Sequence, residues 1–332
     1  MMATNQCCGC EIKAATSRST PEKLPLKPPE LSQLNEGNER IMKLAFSTLG
    51  CPQWGLKKIA AAAHTYGYEG VELRALEGGL NLLDRPELRP GVVEQTRSFF
   101  KEQGLSICSV DTSCSFHAVD ELDRRENIET AVAHGELAAA LGAPLIRVFP
   151  DEVPEGATRD QTRDRIVEAL QELAERMPDG VRIGLETHGH FAAGRATAEI
   201  VRRVNHANLA IIWDAANSFA TGEAVAVAAR TVAPYLAHVH LRDAEPQGEG
   251  RHWRPTLVGR GQVPLAEVVN ALRGMNYEGY ISFEWEKYWH PEIEEPETAL
   301  PDFAAAMQKY WGLEGTASDE QACLKGERDV TE

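Results

Sequence analysis

No stretch of this 332-residue chain approaches the roughly 18 consecutive apolar residues that a membrane-spanning helix requires, and the N-terminus lacks the apolar core of a secretory signal. A membrane partner or an exported protein is therefore not expected. Also missing is any run of Lys and Arg: 34 basic side chains face 50 acidic ones, a formal net charge of -16. That surplus repels a phosphate backbone, so no nucleic-acid partner is expected either. Nor is there the cysteine pattern of a disulfide framework. Of seven cysteines, three cluster in CCGC (Cys7, Cys8, Cys10) and four are scattered (Cys51, Cys108, Cys114, Cys323), which suits a reduced, cytoplasmic protein.

What is present is ordinary globular material, 43% hydrophobic and 25% charged, enough for a sizeable core. Residues 1–41 are rich in Pro, Ser, Glu and Lys without apolar periodicity, the composition of a disordered segment, and residues 314–332 read the same way. Met42 opens MKLAFSTLG, an immediate strand signal, and the working protein is expected to start there.

From residue 43 onward, short apolar runs alternate with amphipathic stretches. Strands are expected in KLAFSTL, GVELRA, LSICSVDTS, PLIRVFP, VRIGLETH, LAIIWDA, LAHVHLRD and GYISFEWE. Helical patterns lie between them, several ending at a Gly suited to a helix C-terminus (Gly67, Gly104, Gly142, Gly274). Eight strand-helix repeats predict one α/β domain, a (β/α)8 TIM barrel over residues 42–313.

Active sites of such barrels lie where strands end. Strands five to eight end at Glu186, Asp214, His240 and Glu284, each an ionisable group closing an apolar run. Side-chain alternation turns Gly184 and His188 to the same inward face as Glu186; His238 and Arg242 share one with His240, and Ser282 and Glu286 with Glu284. The small Gly184 and Ser282 are expected to leave room beneath the two glutamates. Three carboxylates and one imidazole at one mouth repel each other unless a cation sits among them. Oxygen-rich ligation with one nitrogen suits Mn²⁺ or Mg²⁺, with Co²⁺ or Zn²⁺ as further candidates.

Glu186, Asp214, His240 and Glu284 match, in order and strand placement, the metal quartet of the xylose isomerase-like barrel superfamily. The chain resembles in particular its sugar phosphate isomerase/epimerase branch. FSTLGCPQW, YGYEGVELR and LVGRGQVPL are similar to that branch's first-strand, second-strand and late-loop signatures. The resemblance implies a metal-dependent isomerase or epimerase of a polyol or keto sugar, with Glu186 and Glu284 as the acid/base pair. It also implies a dehydratase of an inosose-like or dehydroshikimate-like substrate as the alternative on the same site. An apurinic endonuclease, which shares the barrel, needs further histidines that this chain lacks. A non-catalytic binding module would have no reason to keep all four ligands. Two departures stand out. Asn217 occupies the position of a histidine three residues after the Asp ligand, and Arg242 lies only two residues past His240, nearer than the epimerase arginine.

Other residues carry open readings. His188 is a substrate contact or a loop histidine; His190 reads as loop. Glu72 and Arg74 share an inward face of strand two and, like Arg147, either bind substrate hydroxyls or form ion pairs. Trp54, Phe116 and His117 sit on early loops and either wall the pocket or pack. His252 would close over the site or bind a second metal, and His238 reads as core. A homo-oligomer is compatible with everything above.

Overall fold

The structure is a computed structural model that describes residues 43–248 and 253–312. The two expected disordered segments, Cys7, Cys8, Cys10, Cys323 and His252 lie outside the described residues. Eight strands form a closed, all-parallel barrel: β1 (Lys43–Ser47), β2 (Gly70–Leu73), β3 (Ser106–Ser115), β4 (Leu145–Phe149), β5 (Arg182–Glu186), β6 (Leu209–Asp214), β7 (Leu236–Leu241) and, eighth in the ring, β10 (Tyr280–Phe283). Neighbours follow chain order, and β10 closes the ring on β1 through Lys43↔Tyr280 to Phe46↔Phe283. The strands read as unbroken apolar runs because both faces are covered, one by the barrel interior and one by helices. Burial of β6, for example, is complete along LAIIWD.

The surrounding helices are α1 (Leu56–Tyr66), α2 (Val93–Glu102), α3 (Glu121–Leu141), α4 (Arg159–Arg176), α5 (Gly194–Val204), α6 (Ala215–Ala220), α7 (Val225–Val232), α8 (Leu265–Gly274) and α9 (Pro296–Trp311). Their ends follow capping chemistry. Thr158 and Gln161 form a reciprocal capping box at the start of α4, and Gly67 and Gly142 close α1 and α3 in the left-handed conformation. Gly274 departs from expectation, since it is the last residue of α8 and Asn276 takes the left-handed position instead (φ 54°). Asn tolerates that region because its short amide bonds locally.

The seventh run of the sequence reading, LAHVHLRD, divides. Its end turns out of the barrel as β8 (Asp243–Pro246), which pairs antiparallel with β9 (Trp253–Thr256). Asp243 anchors this hairpin, its carboxylate accepting from the backbone N–H of Ala244, Gly259, Gly261 and Val263 at 2.8 to 3.2 Å. This explains the glycines of LVGRGQVPL: a Cβ on Gly261 would lie 2.2 Å from the Asp243 carboxylate.

The room expected beneath Glu186 is already filled. A Cβ on Gly184 would meet Ile212 Cδ1 and Cγ1 at 2.6 Å, because the neighbouring strand sends Ile212 into that layer. Gly184→Ala is therefore expected to destabilise the fold by about 1–3 kcal/mol, the usual cost of overpacking, read as a lowered urea midpoint. An unchanged midpoint would show that Ile212 moves freely.

Candidate active site

The four strand-end groups converge. Ligand atoms of Glu186, Asp214, His240 and Glu284 all lie within 4.8 Å of one another, and all four residues are buried. Two oxygens on opposite sides of one cation stand about 4–5 Å apart at metal–oxygen bonds of 2.0–2.6 Å, so the spacing accommodates a single ion. Thr187, just past β5, holds the frame: its hydroxyl donates to the Asp214 carbonyl and accepts from the Asp214 N–H, at 3.0 and 2.9 Å. This clamp leaves the Asp214 carboxylate to cap α6 at the Asn217 N–H.

His240 shows the direction of the site. Its Nε2 bonds Glu72 Oε2 at 3.0 Å, while Nδ1 is buried and makes no hydrogen bond among the described residues. That orphaned nitrogen stands 3.5 Å from Glu186 and 3.4 Å from Glu284. A buried nitrogen with no hydrogen-bond partner, set among carboxylates, has the chemistry of a cation ligand.

The mutual repulsion anticipated from sequence is partly relieved by two arginines. Arg147 Nη1 bridges Glu186 at 3.2 Å and Glu284 at 2.9 Å. Arg242 reaches Asp214, Glu284 and Glu286 and donates to the Asn217 side chain. Among the described residues, the carboxylates of Glu186, Asp214, Glu284 and Glu286 thus share two guanidiniums, which leaves the mouth rich in acid. Burial, with Glu284 and Glu186 close by, pushes the Asp214 carboxyl up to about 6 against the pull of Arg242. Glu284 is held well below the usual carboxylate range because His240, Arg147 and Arg242 outweigh its burial. Burial works against a charged His240, yet Glu72, Glu284 and Glu186 raise its pKa; the carboxylates that would hold a cation attract a proton there.

Beside the quartet opens a cavity of about 310 Å³ lined by residues that include Arg147, Glu186, His188, Asn217, Glu284 and Glu286. His188 faces it with its ring on Phe149, centroids 4.5 Å apart, and its Nδ1 3.0 Å from Asp151. Three residues expected to touch substrate are placed elsewhere. Glu72 is fully buried, with one oxygen on His238 (2.6 Å) and the other on His240 (3.0 Å). It does not pair with Arg74, because residues two apart on one strand are about 7 Å apart along the chain. Arg242 is consumed by the acids around it and does not line the cavity. Trp54 belongs to the hydrophobic core, with Lys58 lying over its ring at 4.3 Å. Phe116 is likewise core, His190 sits in a single 3-10 turn (Gly189–Phe191) rather than an irregular loop, its ring held by Val153 and Glu152, and His117 lies 3.8 Å from Asp151. Sequence reasoning missed Asp151, Ser113 and Trp289 as cavity residues. Asp151 carried one usable signal, a polar residue directly after the VFP strand end; its φ of 60° is a backbone property that composition does not reveal.

A closed parallel barrel with an acid-rich, cation-accommodating centre at its C-terminal mouth defines the structural class. Residues 60–310 match the family model of the xylose isomerase-like TIM barrel, and the chain belongs to that family. Among curated proteins it is 25% identical over 150 residues to a D-psicose 3-epimerase of Ruminiclostridium cellulolyticum, covering 43% of this chain and 48% of that protein. It is also 25% identical over 177 residues to an uncharacterised protein of Methanocaldococcus jannaschii, covering 50% and 59%. The matches span about half the length of these relatives. Solved structures with the same fold include the IOLI protein with a bound zinc atom (TM-score 0.69, 20% identity, 83% of this chain and all, 100%, of that one). Others are an L-ribulose 3-epimerase (0.66, 15%, 88% and 100%) and the probable 3-DHS dehydratase AsbF of Bacillus anthracis (0.63, 19%, 80% and 98%). No helix among the described residues is long and apolar enough to cross a membrane.

Proposed function

We propose that the chain is a divalent-metal-dependent isomerase or epimerase of a keto sugar or sugar derivative, with Glu186, Asp214, His240 and Glu284 holding the ion. The observation that carries this reading is the convergence of those four groups beside a cavity of about 310 Å³. The partial match to a sugar 3-epimerase supports it. When bound, the ion supplies Lewis-acid polarisation of a substrate carbonyl and its neighbouring hydroxyl. Glu186 and Glu284 approach from different strands, so one removes the proton from the carbon beside that carbonyl and the other returns it. Arg147, donating to both, fixes the orientation of the two carboxylates relative to each other. Asn217 offers an amide to a substrate hydroxyl, and the neighbouring Asp214 carboxylate stays on α6.

Glu72 acts through His240. By taking the Nε2–H it turns Nδ1 toward the cation position. Glu72→Gln is expected to weaken Mn²⁺ affinity by roughly 10- to 100-fold, the range typical of such supporting partners, measured by calorimetry. Unchanged affinity in a folded variant would remove the orienting role.

A dehydratase on the same site is the second reading, favoured by the His188 ring, which Asp151 orients at the cavity wall and which is placed to protonate a leaving hydroxyl. An NMR screen for solvent deuterium incorporation across keto sugars and inososes tests both. Exchange with every hydroxyl retained supports the isomerase, exchange followed by loss of water the dehydratase, and no exchange on any substrate rejects both.

A further inference from the structure

Among the described residues three arginines are buried at this mouth, and they differ in one respect. Arg147 and Arg242 lie against carboxylates, whereas Arg74 forms no ion pair among the described residues. Arg74 is only 3% exposed; it donates from Nη2 to Ser113 Oγ at 2.6 Å and from Nη1 to the Leu80 carbonyl at 3.4 Å, and its Nε is buried without a partner. Burial and the nearby Arg147 lower its pKa to about 10, which leaves it cationic at neutral pH. A buried guanidinium with spare donors is costly unless an anion completes it.

Its place in the fold says where that anion comes from. Arg74 and Ser113 line the cavity beside Glu186 and Glu284, and they also line a second cavity of about 300 Å³ with Asn81, Asn127, Thr130 and His134. That second cavity has no carboxylate in its wall. In the ring of strands, β2, which leads into Arg74, stands diagonally opposite β6, which ends at Asp214. A molecule held at the quartet and reaching Arg74 therefore spans the mouth.

Resting on the sugar-transforming reading of the site and narrowing it, we propose that the substrate carries an oxyanion group, a carboxylate or a phosphate monoester. Arg74 and Ser113 bind that group while the carbonyl end faces Glu186 and Glu284. A neutral ketose would leave the guanidinium without an ion pair, with only the more distant charges of Asp111 and Glu284 to offset it. The cavity volumes, at the low end for small-molecule sites, fit a single sugar-sized molecule.

The test separates binding from turnover by using compounds without a carbonyl. The Mn²⁺-loaded full chain is titrated calorimetrically with D-gluconate, sorbitol 6-phosphate and neutral sorbitol, each against wild type, Arg74→Gln and Arg74→Lys. One anion is expected to bind at least about tenfold tighter than sorbitol, the scale of one charge-assisted hydrogen bond. Arg74→Gln should erase that advantage, and Arg74→Lys, which keeps the charge, should retain part of it. Which anion wins tells carboxylate from phosphate. The proposal is overturned if sorbitol binds as tightly as both anions, if neither anion binds wild type, or if a variant shown to be folded by circular dichroism keeps the full preference without the guanidinium. Absence of deuterium exchange on every keto sugar would sink the isomerase reading and leave this result legible.

Discussion

Solvent exchange of the substrate proton is expected to fall by at least about 10²–10⁴-fold when either Glu186 or Glu284 is replaced by Gln, the range for losing a general acid or base. Gln keeps the shape and a weak oxygen ligand but cannot accept the proton. Both residues also face the cation position, so loss of the ion would imitate loss of the base. Metal content by mass spectrometry must accompany each rate. Gln also gives Arg147 an uncharged partner where it now bridges two carboxylates, so thermal unfolding should be recorded alongside. Metal-replete variants that still exchange deuterium at the wild-type rate would make both glutamates ligands only and refute the proposed chemistry.

Removal of divalent cations with EDTA is expected to abolish exchange entirely and reversibly, with Mn²⁺ or Mg²⁺ restoring it. The fold should persist, because Arg147 and Arg242 already neutralise part of the acidic cluster. Saturating ion adds stability by mass action, about 2.7 kcal/mol at a hundredfold excess over the dissociation constant, so a rise in melting temperature on reloading is the companion readout. Full activity in protein stripped of metal would reject the cation's role.

The barrel was legible because β-strands covered on both faces must be apolar throughout, and runs such as LAIIWD stand out against amphipathic neighbours. What was not legible has equally physical causes. Helix α3 begins at Glu121, well before the apolar periodicity, because Asp120 caps a first turn that is almost entirely polar and solvent-facing. The β8–β9 hairpin carries Pro in both strands, DAEP and WRPT, and no alternation; it is held by the Asp243 carboxylate instead. At the site, alternation along strands brought the quartet together correctly, since a strand end fixes where its last side chain points. Alternation says nothing about which partner wins a side chain. Glu72 and Arg74 share a face, yet one is taken by two histidines across the barrel and the other by Ser113. Arg242 could not be assigned from its spacing to His240 because its partners, Asp214 and Glu286, come from other strands and loops.

The placement of Arg147 and Arg242 among the acids bears on how the protein matures. On the proposed reading, a cluster already held by two internal cations can be finished before any metal arrives, and loading would then be separated in time from synthesis and folding. Sites of mixed oxygen and nitrogen donors follow the general affinity order of divalent metals, in which Mn²⁺ and Mg²⁺ do not lead. An ion bound there would then record which metal was available when the pre-built pocket filled, and protein produced in different media is expected to differ in metal content while sharing one fold.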